Sequence, residues 1–312
     1  MNPIRTVLAI VDPTAQQHPA VSKAALLAQK FEARLDLFVC DTKAARDIRH
    51  AAHISSGANS PFMVDMRELL DNLARPLRER GLDVMTDTTP ADPLHVALVE
   101  SVKHKGAELF VKDTHHHTLA QRTFLTNTDW ELIRRCPVPL LLTKAKPWGA
   151  QPCICAAVDP GHVDDKPAML DHHILDLAST LARRLSGDLH VLHAYIPAAL
   201  VAAAASASAA MVVDVSPVML AAEREYKMKQ LLALVSDHQV PPANVHAKIG
   251  GTCEQLCLMA EQLDADVMTM GAISRSALKR ILVGSTAELI LERLPCDALI
   301  VKPPDFAELL PM

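Results

Sequence analysis

The residues with the clearest chemical potential lie in the last third of the chain. Gly271-Ala-Ile-Ser274 is followed after nine residues by Gly284-Ser285. Glycine permits positive φ and lets a ligand approach the backbone. Gly284-Ser285 stands where a helix would open, and the free N–H groups and dipole of such an end hold phosphate. Ser285-Thr-Ala-Glu288 also reads as a capping box, as does Thr128-Asp-Trp-Glu131. Ser285 therefore has a structural use as well. Histidines form a second set of candidates. His115 and His117 have the spacing to hold zinc with a carboxylate such as Asp113, but a solvated surface loop is the preferred reading and no metal is expected. Cys153 and Cys155 share a strand face, and Cys253 and Cys257 lie one helical turn apart. Both pairs read as packing. No Walker sequence is present, so P-loop hydrolysis is excluded, and no nucleophile–base pair can be read from spacing.

The glycines belong to one copy of a repeat. Residues 107–144 align without a gap on 265–302, with identical pairs at Ala107/Ala265, Arg122/Arg280, Thr128/Thr286, Arg135/Arg293, Pro137/Pro295, Leu141/Leu299 and Lys144/Lys302. Upstream, TVLAIVDP ending at Pro13 matches CICAAVDP ending at Pro160. One unit is written twice. Gly271, Ser274, Gly284 and Ser285 face Asp113, His116, Thr126 and Asn127 in the first copy. A fold kept twice with a glycine pattern kept once predicts one working site and one altered site.

These residues need elements to position them. In each copy short apolar runs alternate with helical patterns. Strands are expected near 6–11, 35–40, 84, 109–111 and 140–143, and again near 153–158, 189–193, 245–248, 267–270 and 298–301. Helical stripes lie between them. Gly81 and Gly187 serve as stops, and a long helix is expected over about 218–238. Continuous apolar strands separated by helices predict parallel sheets covered on both faces. Ligands of such sheets sit at the carboxyl ends of the strands. Asp12 and Asp159 end first strands, and Gly271 ends a fourth. Domains are expected at 1–146 and 153–304, joined by a linker containing Pro147, Gly149 and Pro152.

Composition narrows the classes. The chain has 312 residues, enough for two domains, and is 50% hydrophobic. A net charge of −5 and only 3% aromatic residues argue against a nucleic-acid partner. Seven cysteines, an odd number, read as reduced thiols of a cytoplasmic protein. The apolar run before Asp12 is too short for a signal peptide. Residues 195–213 carry no charge but are rich in alanine and serine and contain Pro197, so no membrane span is expected. This insert is instead expected to be buried, against the core or over the neighbouring crevice.

A glycine, two residues, a second glycine, nine residues and Gly-Ser or Gly-Thr is the nucleotide motif of the universal stress protein superfamily. The second copy resembles it, with Ser274 in place of the second glycine. The tandem layout, the VDP strand ends and the segments Thr123-Phe-Leu-Thr-Asn-Thr-Asp-Trp130, Arg135-Cys-Pro-Val-Pro139 and Gly284-Ser-Thr-Ala-Glu288 are similar to its tandem, E-type subgroup. The resemblance implies two Rossmann-like α/β domains of the adenine-nucleotide alpha-hydrolase type, each a five-stranded parallel doubly wound sheet of order 3-2-1-4-5. It implies a pseudo-dimer within one chain, with the fifth strands at its interface, and leaves a homodimer open. The implied small-molecule ligand is ATP or a related nucleotide, with magnesium as an optional companion. By position, Asp159, His193 and Ala194 would flank base and sugar. Gly271, Ser274, Gly284, Ser285 and Thr286 would meet ribose and phosphates. Enzymatic activity would be weak ATP hydrolysis at most. Two alternatives stay open: an apolar or other metabolite in the second crevice, and an interaction protein that binds no ligand.

Overall fold

The computed structural model describes residues 3–13, 15–42, 61–91, 93–116, 123–160, 169–207, 216–271, 285–303 and 306. The chain divides into two compact units. One is Met1–Pro147 with Asp297–Met312, and the other is Trp148–Cys296.

In the first unit, β1 (Thr6–Ile10) is buried at every position. Pro19 opens α1 (Pro19–Phe31), where a missing N–H costs nothing. Val21, Ala24, Leu27 and Ala28 supply its buried face. Glu32 ends that helix in the left-handed region at φ 55°. Then come β2 (Arg34–Thr42), α2 (Pro61–Glu79), β3 (Val84–Ala91), α3 (Leu94–Lys105) and β4 (Leu109–Asp113). A two-residue hairpin pairs His115 with Phe124, and α4 (Asn127–Arg135) and β5 (Leu140–Thr143) follow. The parallel strands run in the order β3-β2-β1-β4-β5. The sheet then gains β10 (Asp297–Val301), antiparallel to β5, with Ala298 opposite Leu142.

The second unit repeats the plan with β6 (Cys153–Ala157), α5 (Leu170–Leu185) and β7 (Asp188–Tyr195). Ser186 is left-handed at φ 54°, and Gly187 follows. A Cβ on Gly187 would stand 2.1 Å from the Pro152 carbonyl oxygen, so only glycine fits there. Next are α6 (Ala198–Ala207), α7 (Pro217–Leu234), β8 (Val245–Ile249), α8 (Thr252–Gln262), β9 (Val267–Gly271) and α9 (Ser285–Arg293). Its strands run β8-β7-β6-β9, all parallel. The long helix ends at Leu234, and Ser236–His238 is a separate 3-10 turn.

The insert corrects one expectation. In α6 and just before it, Ile196 is 57% exposed and Val201 53%. Alanine offers too little surface to draw a helix into a core, and α6 adds only Leu200 and Val201 to it. Residues 208–215 of the insert lie outside the described residues. Among the described residues no helix is long and apolar enough to cross a membrane.

Candidate functional site

In the second unit the carboxyl ends of β6 and β7 bring Asp159 and His193 together. His193 Nδ1 lies 3.2 Å from the Val158 carbonyl oxygen and 3.6 Å from Asp159 Oδ1. A carbonyl only accepts, so the Nδ1 proton donates to it and Nε2 carries the lone pair in the neutral ring. The imidazole is buried and stacks on Tyr195, with centroids 5.6 Å apart and planes 8° apart. Lys227 Nζ stands 5.9 Å from the centre of the Tyr195 ring. Asp159 donates its backbone N–H to Asp171 Oδ1 in the first turn of α5 at 3.2 Å. Ala194 is half-buried beside His193.

Gly271 ends β9 as expected, but its neighbour changes how it is understood. A Cβ there would meet Leu170 Cδ2 at 3.0 Å. The first residue of α5 therefore packs against this glycine, and a larger residue would need the Leu170 side chain to shift by a few tenths of an ångström. Thr286 is exposed in the first turn of α9, and Ser285 begins that helix. Ser274 and Gly284 lie outside the described residues, as does the Ser285 side chain. The glycine spacing is thus represented in the structure by its two ends.

In the first unit the corresponding helix ends are already occupied. Asp113, the counterpart of Gly271, accepts from the Ala20 N–H at 2.7 Å and from the Thr143 hydroxyl at 2.6 Å through Oδ1. This carboxylate caps the start of α1. Burial raises its pKa above the usual value, against the opposing pull of those two hydrogen bonds and of Lys112. At α4, Thr126 is the N-cap. Its hydroxyl accepts from the Asp129 N–H at 3.3 Å, and its own N–H donates to Asp129 Oδ2 at 2.7 Å. Asp129 is fully buried and pairs with Lys112 at 2.8 Å. The capping box is therefore Thr126–Asp129 rather than Thr128–Glu131. Glu131 instead pairs with Arg134 at 3.1 Å and Arg135 at 2.7 Å.

Among the described residues no group of three or more His, Cys, Asp or Glu could hold a metal ion. His115 pairs through its backbone with Phe124, and His117 lies outside the described residues.

A model of the universal stress protein family matches residues 3–144 and again 154–302. This chain belongs to that family. Universal stress protein E of Escherichia coli K12 is 23% identical to it over 325 residues, covering 97% of this chain and 95% of its own. A universal stress protein E homolog of Haemophilus influenzae is 23% identical over 314 residues, covering 96% and 97%. Among solved structures, a functionally unknown protein of Pseudomonas aeruginosa PAO1 superposes with a TM-score of 0.74 at 26% identity, covering 98% of this chain and 95% of that one.

Two residues of this universal stress protein escaped sequence reasoning: Asp129 and its repeat partner Ala287. The signal was present in the gapless alignment, as an acidic residue facing alanine in the first turn of the last helix. Spacing rules do not single out such a column, because a first-turn aspartate is ordinary helix chemistry.

Proposed function

We propose that this stress-response protein of the universal stress family binds ATP or a related nucleotide in its second repeat, and that the first repeat is a closed copy. The observation that carries this reading is the pair of columns 113/271 and 129/287. The first copy supplies its own carboxylates to both helix starts, through Asp113 and Asp129. The second copy has Gly271 and Ala287 at those places. The first-turn acids of the second copy stand elsewhere, at Asp171 and Glu288, and helix starts without a carboxylate at columns 113/271 and 129/287 leave those two places to an external phosphate. Asp159, His193 and Ala194 would take base and sugar. Gly271, Ser274, Gly284, Ser285 and Thr286 would take ribose and phosphates, with magnesium accompanying the phosphates if present.

The exposed α6 supports this reading over an apolar ligand, because the described part of the insert is not a buried cover. Calorimetric titration of the full chain with ATP, with and without magnesium, tests it. The wild type should bind. Gly284→Asp should weaken binding at least tenfold, or about 1.4 kcal/mol, whereas Thr126→Asp should change it little. Equal losses in the two variants, or no binding by the wild type, would overturn the assignment.

A further inference from the structure

Helix α7 is unusually exposed for its length: across Pro217–Leu234 it buries Leu231 alone. Its inner side is marked by two contacts. The Glu223 carboxylate accepts from the Ala198 N–H at 3.1 and 3.2 Å, and Lys227 lies over Tyr195. The opposite side presents Val218, Ala222, Glu225, Lys229 and Leu232, all exposed. These positions step by four, three, four and three, which is the seam spacing of a coiled coil. Val218 is 77% exposed and Leu232 38%, and Met219 and Tyr226 flank the seam at 52% and 59%. Glu225 and Lys229 have no hydrogen-bond or ion-pair partner among the described residues.

We infer that this seam is a self-association surface and that its occupant is α7 of a second copy of this chain, antiparallel about a two-fold axis. The charges specify the partner. Glu225 and Lys229 lie two positions either side of Lys227, and Ala222 and Leu232 lie five either side. An antiparallel approach centred at that level maps Ala222, Glu225, Lys229 and Leu232 onto one another, and Val218 falls beyond the partner helix, at the level of Ser236. Each Glu225 meets Lys229 of the second copy, and each Ala222 meets its Leu232. Other arrangements are penalised: a parallel pair in register sets Glu225 on Glu225 and Lys229 on Lys229, and centring on residue 225 does the former. Like charges set face to face disfavour those alternatives.

The available surface suits the same occupant. Val218, Met219, Tyr226 and Leu232 expose apolar area on the order of 400 Å2, above the scatter of single exposed residues. That is about half of the roughly 800 Å2 per partner of a standard interface, which fits a weak, concentration-dependent dimer. An isologous contact needs no other chain.

Sedimentation velocity of the full chain, over a concentration series reaching the high micromolar range, tests the inference. The wild type should shift toward dimer mass. Glu225→Lys and Lys229→Glu should each weaken the dimer about tenfold or more, because the symmetry repeats every mismatch. The two reversals combined should restore it. Leu232→Asp should abolish it while far-ultraviolet circular dichroism stays unchanged. An i,i+4 pairing of Glu225 with Lys229 within one helix would move the melting temperature and leave the mass alone. A wild type that stays monomeric, or a dimer indifferent to the single reversals or lost in the double one, would overturn the inference.

Discussion

Lys23 Nζ lies 2.9 and 2.7 Å from the two carboxylate oxygens of Asp297, a residue 274 positions away in the chain. Both side chains are buried, Lys23 at 5% exposure and Asp297 at 1%. Lys144 completes the arrangement, accepting from Lys23 through its carbonyl and donating its N–H to Asp297 Oδ1, each at 2.8 Å. Removing one member leaves the other charge buried without its ion-pair partner. Asp297→Ala should therefore destabilise the first unit by about 3–5 kcal/mol, whereas replacing Lys23 and Asp297 together by Met and Leu should cost much less. Urea unfolding of the three proteins checks this. Equal losses in the single and double variants would contradict it.

The edge of the second unit's sheet carries a histidine pair with a pH signature. His190 Nδ1 and His246 Nε2 are 3.0 Å apart, and the rings stack with centroids 5.3 Å apart. Burial lowers both pKa values below 6.5. Asp188 opposes this at His190, and His190 and Lys248 add to it at His246. The unfolded chain therefore takes up protons before the folded one does. The pair's contribution is fully present above pH 6.5 and is lost as pH falls below it. The melting temperature of the wild type should drop more steeply through that range than that of His246→Gln. Parallel profiles would argue against the pair.

A pH effect of the same sign is expected in the alkaline range. Burial lowers the pKa of Lys302 to about 8, with Cys136 pulling it back up, while its ammonium donates to the Ile133 carbonyl at the end of α4. Folded Lys302 loses its proton before the unfolded chain does, so stability rises from about pH 8 toward the unfolded value of 10.5. Burial also raises the Cys136 thiol from 9.0 to about 11, and its contribution falls as pH climbs through that window. Below pH 9 the Cys136 thiol has not yet begun to oppose the lysine, and Cys153, lowered below 9.0 by its hydrogen bond with Cys155, acts in the same direction in any variant. Urea midpoints should therefore increase between pH 8 and 9 more steeply in the wild type than in Lys302→Met.

Gly271 separates a packing role from a ligand role. Adding a methyl group there forces it to 3.0 Å from Leu170 Cδ2. Gly271→Ala should cost about 1–3 kcal/mol through overpacking, and less in a Leu170→Ala background. A double-mutant cycle on urea midpoints reads the coupling. Additive losses would return the glycine to a purely ligand-facing role.

Much of the fold was legible because its signals are local. Continuous apolar runs such as 140–143 and 153–157 appear as buried parallel strands, and Gly187 closes α5 where its spacing predicted. Two errors have physical causes. Thr126-Asn-Thr-Asp129 and Thr128-Asp-Trp-Glu131 satisfy the same capping pattern. The choice between them depends on Lys112 and Arg135, which local spacing does not reveal. The insert was expected to be buried because it lacks charge. Freedom from charge is not the same as apolar bulk, and α6 has little to bury. Of the residues singled out for the candidate site, the structure brings Asp159 and His193 to within 3.6 Å of each other and sets Gly271 at the end of β9. The internal anions of the first copy were not legible, because a carboxylate filling a helix start looks in sequence like any other aspartate.

Strand β10 has a consequence for biosynthesis. The segment beginning at Asp297 belongs to the first unit, where it pairs with β5 and neutralises Lys23. A ribosome that has just finished Thr143 has delivered the five parallel strands of that unit, but not their sixth neighbour or the counter-ion. At about 5–20 residues per second, roughly 8–30 seconds pass before Asp297 is made. Throughout that interval β5 is a bare edge, and Lys23 lacks its Asp297 partner. The nascent N-terminal half therefore completes its assembly only after Asp297 has been made, and an edge-binding chaperone has that long to find it.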